Sequence, residues 1–437
     1  AAKVHAVLAT AAKAKATDSG MAAPAASGSV ARGVRMLAYE GDLLYTSSGT
    51  TVDAWLVMRD VKAAETAGHT GPIVSLATAE PPSMPRHEGD PSVDRAASSG
   101  QAVLYSASLD GTIRAWDVLD MSCLQVLEET RSEIACLCHS SLCDMLLTGH
   151  DDGSIRIWNV DTGSTITLRG HENTVLCLCV VAKNASQLML LSSGFDGQVG
   201  MWDITKHKNA LPRLEHLVKA SDEEVLAMIV NPMAAQYITA GNDTLVRVWS
   251  VRTQAALATL RGHSDAISCL ALDGNFLFSA SEGGDVRLWD LHSFGALSTL
   301  RAHDGPVSGM LIVPDSGWLV TCGSTDHCVR VWDYGAGNEL KTWNHTDSFR
   351  CIALKRSISH IVAGTEEHNL VSFPLSEVSD KIRARKEAAE EEAREAERAA
   401  QKAAQLAAVV ADKRAAAERG APADAGAVVA SAMLRKT

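Results

Sequence analysis

Apolar residues in this chain fall in short runs that alternate with small or polar ones, and a turn of Gly, Asp or Ser cuts each run off well before helical length. The pattern is plainest between residues 266 and 302. There "AISCLAL", "FLFSAS", "DVRLWDL" and "ALSTLRA" read as four strands of one sheet, innermost to outermost, joined by hairpins. The third run and the turn before it recur as "SASLDGTIRAWD" (106–117), "TGHDDGSIRIWN" (148–159), "SSGFDGQVGMWD" (192–203), "AGNDTLVRVWS" (240–250), "SASEGGDVRLWD" (279–290) and "CGSTDHCVRVWD" (322–333). Degenerate copies end at Trp55 and Phe373. The landmarks Trp55, Trp116, Trp158, Trp202, Trp249, Trp289, Trp332 and Phe373 lie 61, 42, 44, 47, 40, 43 and 41 residues apart. A period of about 40 to 45 residues is one four-stranded propeller blade. The pattern therefore predicts an all-β ring of eight blades over residues 30–375.

A second landmark precedes several turns: Gly68-His69, Gly170-His171, Gly262-His263, Ala302-His303 and Asn344-His345. With both landmarks in place, the chain resembles the WD-repeat β-propeller family over residues 30–375. The resemblance implies a hydrogen-bonded network in each blade, joining the leading-loop His, a Ser or Thr of the second strand, the turn Asp and the third-strand Trp. Such a network stabilises the blade, because each polar group buried without a partner costs about 1–3 kcal/mol. Two blades match fully: His69, Ser106, Asp110 and Trp116, and His171, Ser192, Asp196 and Trp202. The others depart from the pattern. Trp158 and Trp249 have Asp152 and Asp243 but no upstream His, and Trp289 has His263 but Gly283 in place of the Asp. Trp332 has His303 and Asp326, with Cys322 read at the Ser position, and the first and last blades lack the Asp. Lower local rigidity is expected in these blades.

Pro374 and helical sequence follow Phe373, which leaves the last blade without an outer strand of its own. Residues 23–32 are expected to supply it and close the ring, since an open sheet edge is a liability. Residues 1–29 otherwise read as a flexible Ala/Lys-rich segment, and a targeting role for residues 1–20 stays open. The Pro/Ser/Gly-rich insertion 80–101 is expected to be a disordered surface loop, either tolerated or partner-binding. Residues 376–420 predict an Ala/Glu/Arg-rich helix, with a flexible tail over 421–437. Ala389, Ala393, Ala396, Ala400, Ala403 and Ala407, followed by Val410, alternate spacings of four and three. That is a heptad seam, and a seam of alanine permits close approach of another helix or a groove. The alternative is a solvated helix held by Ala propensity and ion pairs.

Composition narrows the function classes. A formal charge of −12 opposes binding to nucleic acid and to acidic membranes, and no stretch approaches a membrane span. The ten cysteines sit mostly in strand-like runs, which suits a reducing, cytoplasmic compartment. Cys136 and Cys138, and Cys177 and Cys179, have a metal-like look, but period-two spacing puts each pair on one face of an inner strand, the usual place for small core residues. No phosphate loop, nucleophile elbow or His-Glu-x-x-His is present, so neither catalysis nor a cofactor is expected.

The expectation is therefore a non-catalytic scaffold that binds other proteins of a multi-subunit complex. By the family resemblance, its contact residues are those before the turn Asp, namely Leu109, Asp151, Phe195, Asn242, Glu282 and Thr325, and those after the landmark His, namely Thr70, Glu172, Ser264 and Asp304. Aromatic anchors dominate interfaces, so Phe195 is either the anchor or a residue packed on the next blade. The ring with its appended helix is similar to WD-repeat proteins of cytoskeletal and ciliary assemblies. A substrate-recognition subunit of a cullin-type ubiquitin ligase is the alternative; its Trp-Asp-x-Arg signature is approached only by Trp249-Ser250-Val251-Arg252. A propeller enzyme is more distant still.

Overall fold

The alternating runs become strands where the pattern places them. A computed structural model describes residues 34–378, except 41–42, 57–60, 80–102, 119, 129–131, 141–144, 161, 185–186, 206–211, 315, 355–359 and 367–368. Its strands form eight antiparallel sheets, seven of four strands and one of three. We number the sheets as blades 1 to 8, after Trp55, Trp116, Trp158, Trp202, Trp249, Trp289, Trp332 and Phe373. Blade 6 consists of Ile267–Asp273, Phe276–Ser281, Asp285–Asp290 and Gly295–Arg301, paired in sequence order. Each innermost strand lies against those of the neighbouring blades, and Val34–Glu40 of blade 1 lies against Phe349–Leu354 of blade 8, so the ring is closed.

Blade 8 has three strands among the described residues, ending with Leu370–Pro374. The segment expected to complete it, residues 23–32, lies outside the described residues. So do the insertion 80–101 and the alanine seam of Ala389, Ala393, Ala396, Ala400, Ala403 and Ala407. The chain divides into two compact units, Ala1–Leu375 and Ser376–Thr437. Of the second, residues 376–378 are helical.

The core lies between blades rather than within one. Blade 4's Trp202, 1% exposed, packs with Leu147, Ile155 and Ile157 of blade 3, and Trp249 packs with Met189, Leu191 and Met201 of blade 4. A sheet covered on both faces has little use for polar residues on its middle strands, which is why these strands read as nearly continuous apolar runs. Trp202→Ala should therefore leave a large void and cost about 3–5 kcal/mol. Urea denaturation measures it, and a loss below about 1 kcal/mol would show that the blade interface is not packed as described.

Small donors tie the inner strands across the blade boundaries. Cys136 Sγ donates to Val175 O at 3.4 Å, Cys177 Sγ to Leu226 O at 3.5 Å, Ser268 Oγ to Val307 O at 3.0 Å and Ser308 Oγ to Phe349 O at 2.8 Å. The cysteines thus serve close blade-to-blade approach. Burial pushes the thiols of Cys136 and Cys179 well up and that of Cys177 to about 11, which keeps them protonated and unreactive.

Candidate functional site

The loop end of the ring carries the turn between the second and third strands of each blade, and the loop that leads into each blade. The network implied by the repeat is built here. In blade 4, Trp202 Nε1 donates to Ser192 Oγ at 2.8 Å, Ser192 Oγ lies 2.7 Å from His171 Nε2, and His171 Nδ1 lies 2.8 Å from Asp196 Oδ2. An ionised carboxylate only accepts, so Nδ1 carries the proton and Nε2 accepts from the serine hydroxyl. Asp196 also accepts from the backbone N–H groups of Glu172 and Gln198, each at 3.0 Å. Blade 2 repeats the arrangement with Trp116, Ser106, His69 and Asp110, and Thr112 Oγ1 adds a 2.7 Å bond to the carboxylate.

These contacts set the charge states. Burial alone would raise the Asp110 carboxyl, but hydrogen bonds from Thr112 and Thr70 and the neighbouring His69 hold it far below the usual range. Burial lowers His69 and His303, against the pull of Asp110 and Asp326.

The indole-to-hydroxyl bond exists in all seven tryptophan blades, at 2.8–3.1 Å, with Thr46, Ser106, Thr148, Ser192, Thr239, Ser279 and Thr321 as acceptors. Blade 7 corrects the sequence reading: its acceptor is Thr321, eleven residues before Trp332, and not Cys322. The separation is ten in blades 2 to 6, so the blade 7 turn is one residue longer. A shift of one residue in a strand changes the face, which turns Cys322 towards Ser308 Oγ, 3.4 Å from its sulfur. His303 completes this blade, 2.9 Å from Thr321 Oγ1 and 2.8 Å from Asp326 Oδ2.

Two blades close their networks by other residues. In blade 3, where no leading-loop His exists, His150 of the second strand sits 2.8 Å from Thr148 Oγ1 and 3.0 Å from Ser132 Oγ. Asp152 caps its own turn, accepting from Ser154 N at 2.9 Å. In blade 5 the hydroxyl of Ser221 donates to Asp243 at 2.7 Å, and Arg247 pairs with the same carboxylate. The signals for both lay in the sequence: a His two residues after Thr148, and a Ser aligned with His171. Blade 6 keeps His263 on Ser279 at 2.6 Å, while Gly283 leaves His263 Nδ1 without a partner.

The network consumes the conspicuous polar residues, whereas the residues beside it face outward. Leu109, Asp151, Glu282, Thr325, Thr70, Glu172, Ser264 and Asp304 are all exposed. Phe195 and Asn242 are half-buried: Phe195 packs on the core between blades 4 and 5, and Asn242 bonds Glu224. Glu133, Asp222, Glu223 and Asp265 are exposed on the same leading loops, although the family pattern did not single them out. These carboxylates outnumber the exposed cations Arg169, Lys219 and Arg261 of the same loops. Among the described residues no His/Cys/Asp/Glu group is placed to hold a metal ion, and no helix is long and apolar enough to cross a membrane.

An eight-bladed ring with an indole–hydroxyl bond in seven blades, extended through imidazole to carboxylate in blades 2, 4 and 7, defines a β-propeller of the WD-repeat class. The WD domain, G-beta repeat matches residues 63–117, 121–159, 163–203, 254–290 and 295–333, and the chain belongs to this family. Among curated relatives, it is 28% identical over 270 residues to periodic tryptophan protein 2 of Arabidopsis thaliana, covering 61% of this chain and 25% of that protein. It is 29% identical over 190 residues to nuclear distribution protein PAC1-2 of Uncinocarpus reesii, covering 42% and 34%. It is 28% identical over 202 residues to human apoptotic protease-activating factor 1, covering 46% and 15%. The chain thus spans between 15% and 34% of the length of these relatives. Among solved structures, the computationally designed Ika8 protein aligns with a TM-score of 0.64 at 19% identity, covering 79% of this chain and 96% of that one, which speaks for the fold alone.

Proposed function

We propose that this chain is a non-catalytic scaffold that holds other proteins of a multi-subunit assembly on its acidic loop face, with the segment after Ser376 as a second docking element. The observation that carries the reading is the division of labour at the loop end. The catalytic-looking His, Ser and Asp residues are bonded to one another inside the blades, and eight of the ten residues expected at the rim are exposed. WD-repeat proteins act generally as interaction platforms, and the ring with an Ala/Glu/Arg-rich extension favours a cytoskeletal or ciliary assembly in the cytoplasm.

Affinity purification from the native cell, comparing the full chain with a chain ending at Ser376, tests the proposal by mass spectrometry. Cytoskeletal or axonemal subunits should co-purify with the full chain and be depleted without the tail. Recovery of cullin and its adaptors with both chains would replace this reading by that of a ligase receptor.

A further inference from the structure

Blade 6 turns the usual arrangement inside out. In blade 2 the leading loop has Gly71 and the turn has Asp110, and a Cβ on Gly71 would stand 2.8 Å from Asp110 N. In blade 6 the leading loop has Asp265 and the turn has Gly283, and a Cβ on Gly283 would stand 2.3 Å from Asp265 Oδ2. The carboxylate has moved from the turn to the loop across the same contact.

Two consequences follow from the exchange. The first concerns His263, which is 7% exposed and bonded through Nε2 to Ser279, but whose Nδ1 has no partner. In the blades with a turn carboxylate, Nδ1 must donate. Here Nε2–H is free to donate to Ser279 instead, which leaves the Nδ1 lone pair as a buried acceptor. The second concerns the carboxylate itself. The side chains of Asp110, Asp196 and Asp326 are only 8%, 5% and 9% exposed. Asp265 is exposed, and its one hydrogen bond comes from Ser264 Oγ at 2.7 Å. Exposed Glu282 and half-buried Asp285 flank Gly283, and exposed Asp304 stands on the next leading loop. Arg287, which lies against Gly262, forms no ion pair among the described residues.

We propose that the corner formed by His263, Asp265, Glu282 and Asp285 receives an Arg or Lys side chain of a partner protein. The inference rests on the loop face being the docking face and names the chemistry of one contact there. The one carboxylate that blades 2, 4 and 7 bond to a histidine internally is displayed on this blade, with an unused nitrogen buried behind it. A basic side chain pairs with these carboxylates at the surface, whereas an acidic one would add a further negative charge beside Asp265, Glu282 and Asp285.

The probe is a fluorescein-labelled oligoarginine peptide titrated into the full-length chain at low salt and read by fluorescence anisotropy. The double variant D265N/E282Q should weaken binding about fivefold, as expected for two exposed charge pairs. The charge-matched variant D151N/E172Q, on other blades, should change it less than twofold. In the unaltered chain labelled with nitrogen-15 histidine, the His263 Nδ1 resonance should move on titration. Equal weakening by both double variants, a motionless His263 resonance, or preference for an oligoglutamate peptide would each overturn the proposal. Such a result would leave the scaffold reading standing, because that reading is decided by the purified partners and not by this peptide.

Discussion

Lowering the pH from 7 towards 4 is expected to unfold the ring. Burial holds His69, His150 and His303 below the ordinary imidazole range and lowers His263 to about 4, its neighbour Arg287 adding to the effect. Above pH ~6.5 these residues are neutral in both the folded and unfolded chains, and pH has no leverage through them. Below it, the unfolded chain takes up protons that the folded chain refuses, so stability falls with pH until each folded pKa is reached. The slope is about 1.4 kcal/mol per pH unit for each such proton, and four give a ceiling of roughly 5 kcal/mol per unit. A typical domain has only ~5–15 kcal/mol in all. Asp110, Asp152 and Asp196, whose pKa values are also lowered on folding, carry the loss further as pH falls through the carboxylate range. Relief of the −12 net charge on acidification acts the other way, but is spread over a screened surface. Urea midpoints at pH 7.5, 6 and 5 should decline steadily; a constant midpoint would mean that the histidines are not buried as neutral groups.

The ring was legible in the sequence because the core lies between blades. Each blade must present an apolar middle and a large aromatic to its neighbour, so Trp116, Trp158, Trp202, Trp249, Trp289 and Trp332 mark the period. What could not be read was any feature that depends on the length of a turn. Thr321 and Cys322 are adjacent and both plausible as the indole's partner, and only one extra residue before Asp326 decides between them. Blade 3 was similarly opaque, since His150 reaches the network position from a strand and not from a leading loop. A pattern anchored on Gly-His cannot register that substitution.

The rim was legible to the extent that turn position implies exposure. Leu109, Asp151 and Glu282 stand at tips where the chain reverses, and all three are exposed among the described residues. Phe195 occupies the same place but has enough surface to reach the core between blades 4 and 5, so packing draws it inward. The acidity of the leading loops was visible only in aggregate, as net charge, because Glu133, Asp222, Glu223 and Asp265 share no repeat position until the blades are superposed on one end of the ring.

Asp196→Ala should destabilise the protein by about 3 kcal/mol without altering the chemistry of the rim, because the lost carboxylate is nearly all interior. Four bonds go at once, those from His171 Nδ1, Glu172 N, Gln198 N and, at 3.4 Å, Gln198 Nε2. His171 Nδ1 is then left without a partner, as His263 Nδ1 is in blade 6. Blade 6 folds without its turn carboxylate, so the variant should fold too, with a lower melting temperature and an intact circular dichroism spectrum. Blade 6, however, fills the space above its turn with Asp265, whereas Asn173 stands at that position in blade 4, so no carboxylate replaces the one removed. Asp196→Asn, which keeps one acceptor for either His171 or the backbone, should recover part of the loss. The order of melting temperatures, wild type above Asn above Ala, is the diagnostic; three equal values would mean that the carboxylate does not hold the turn.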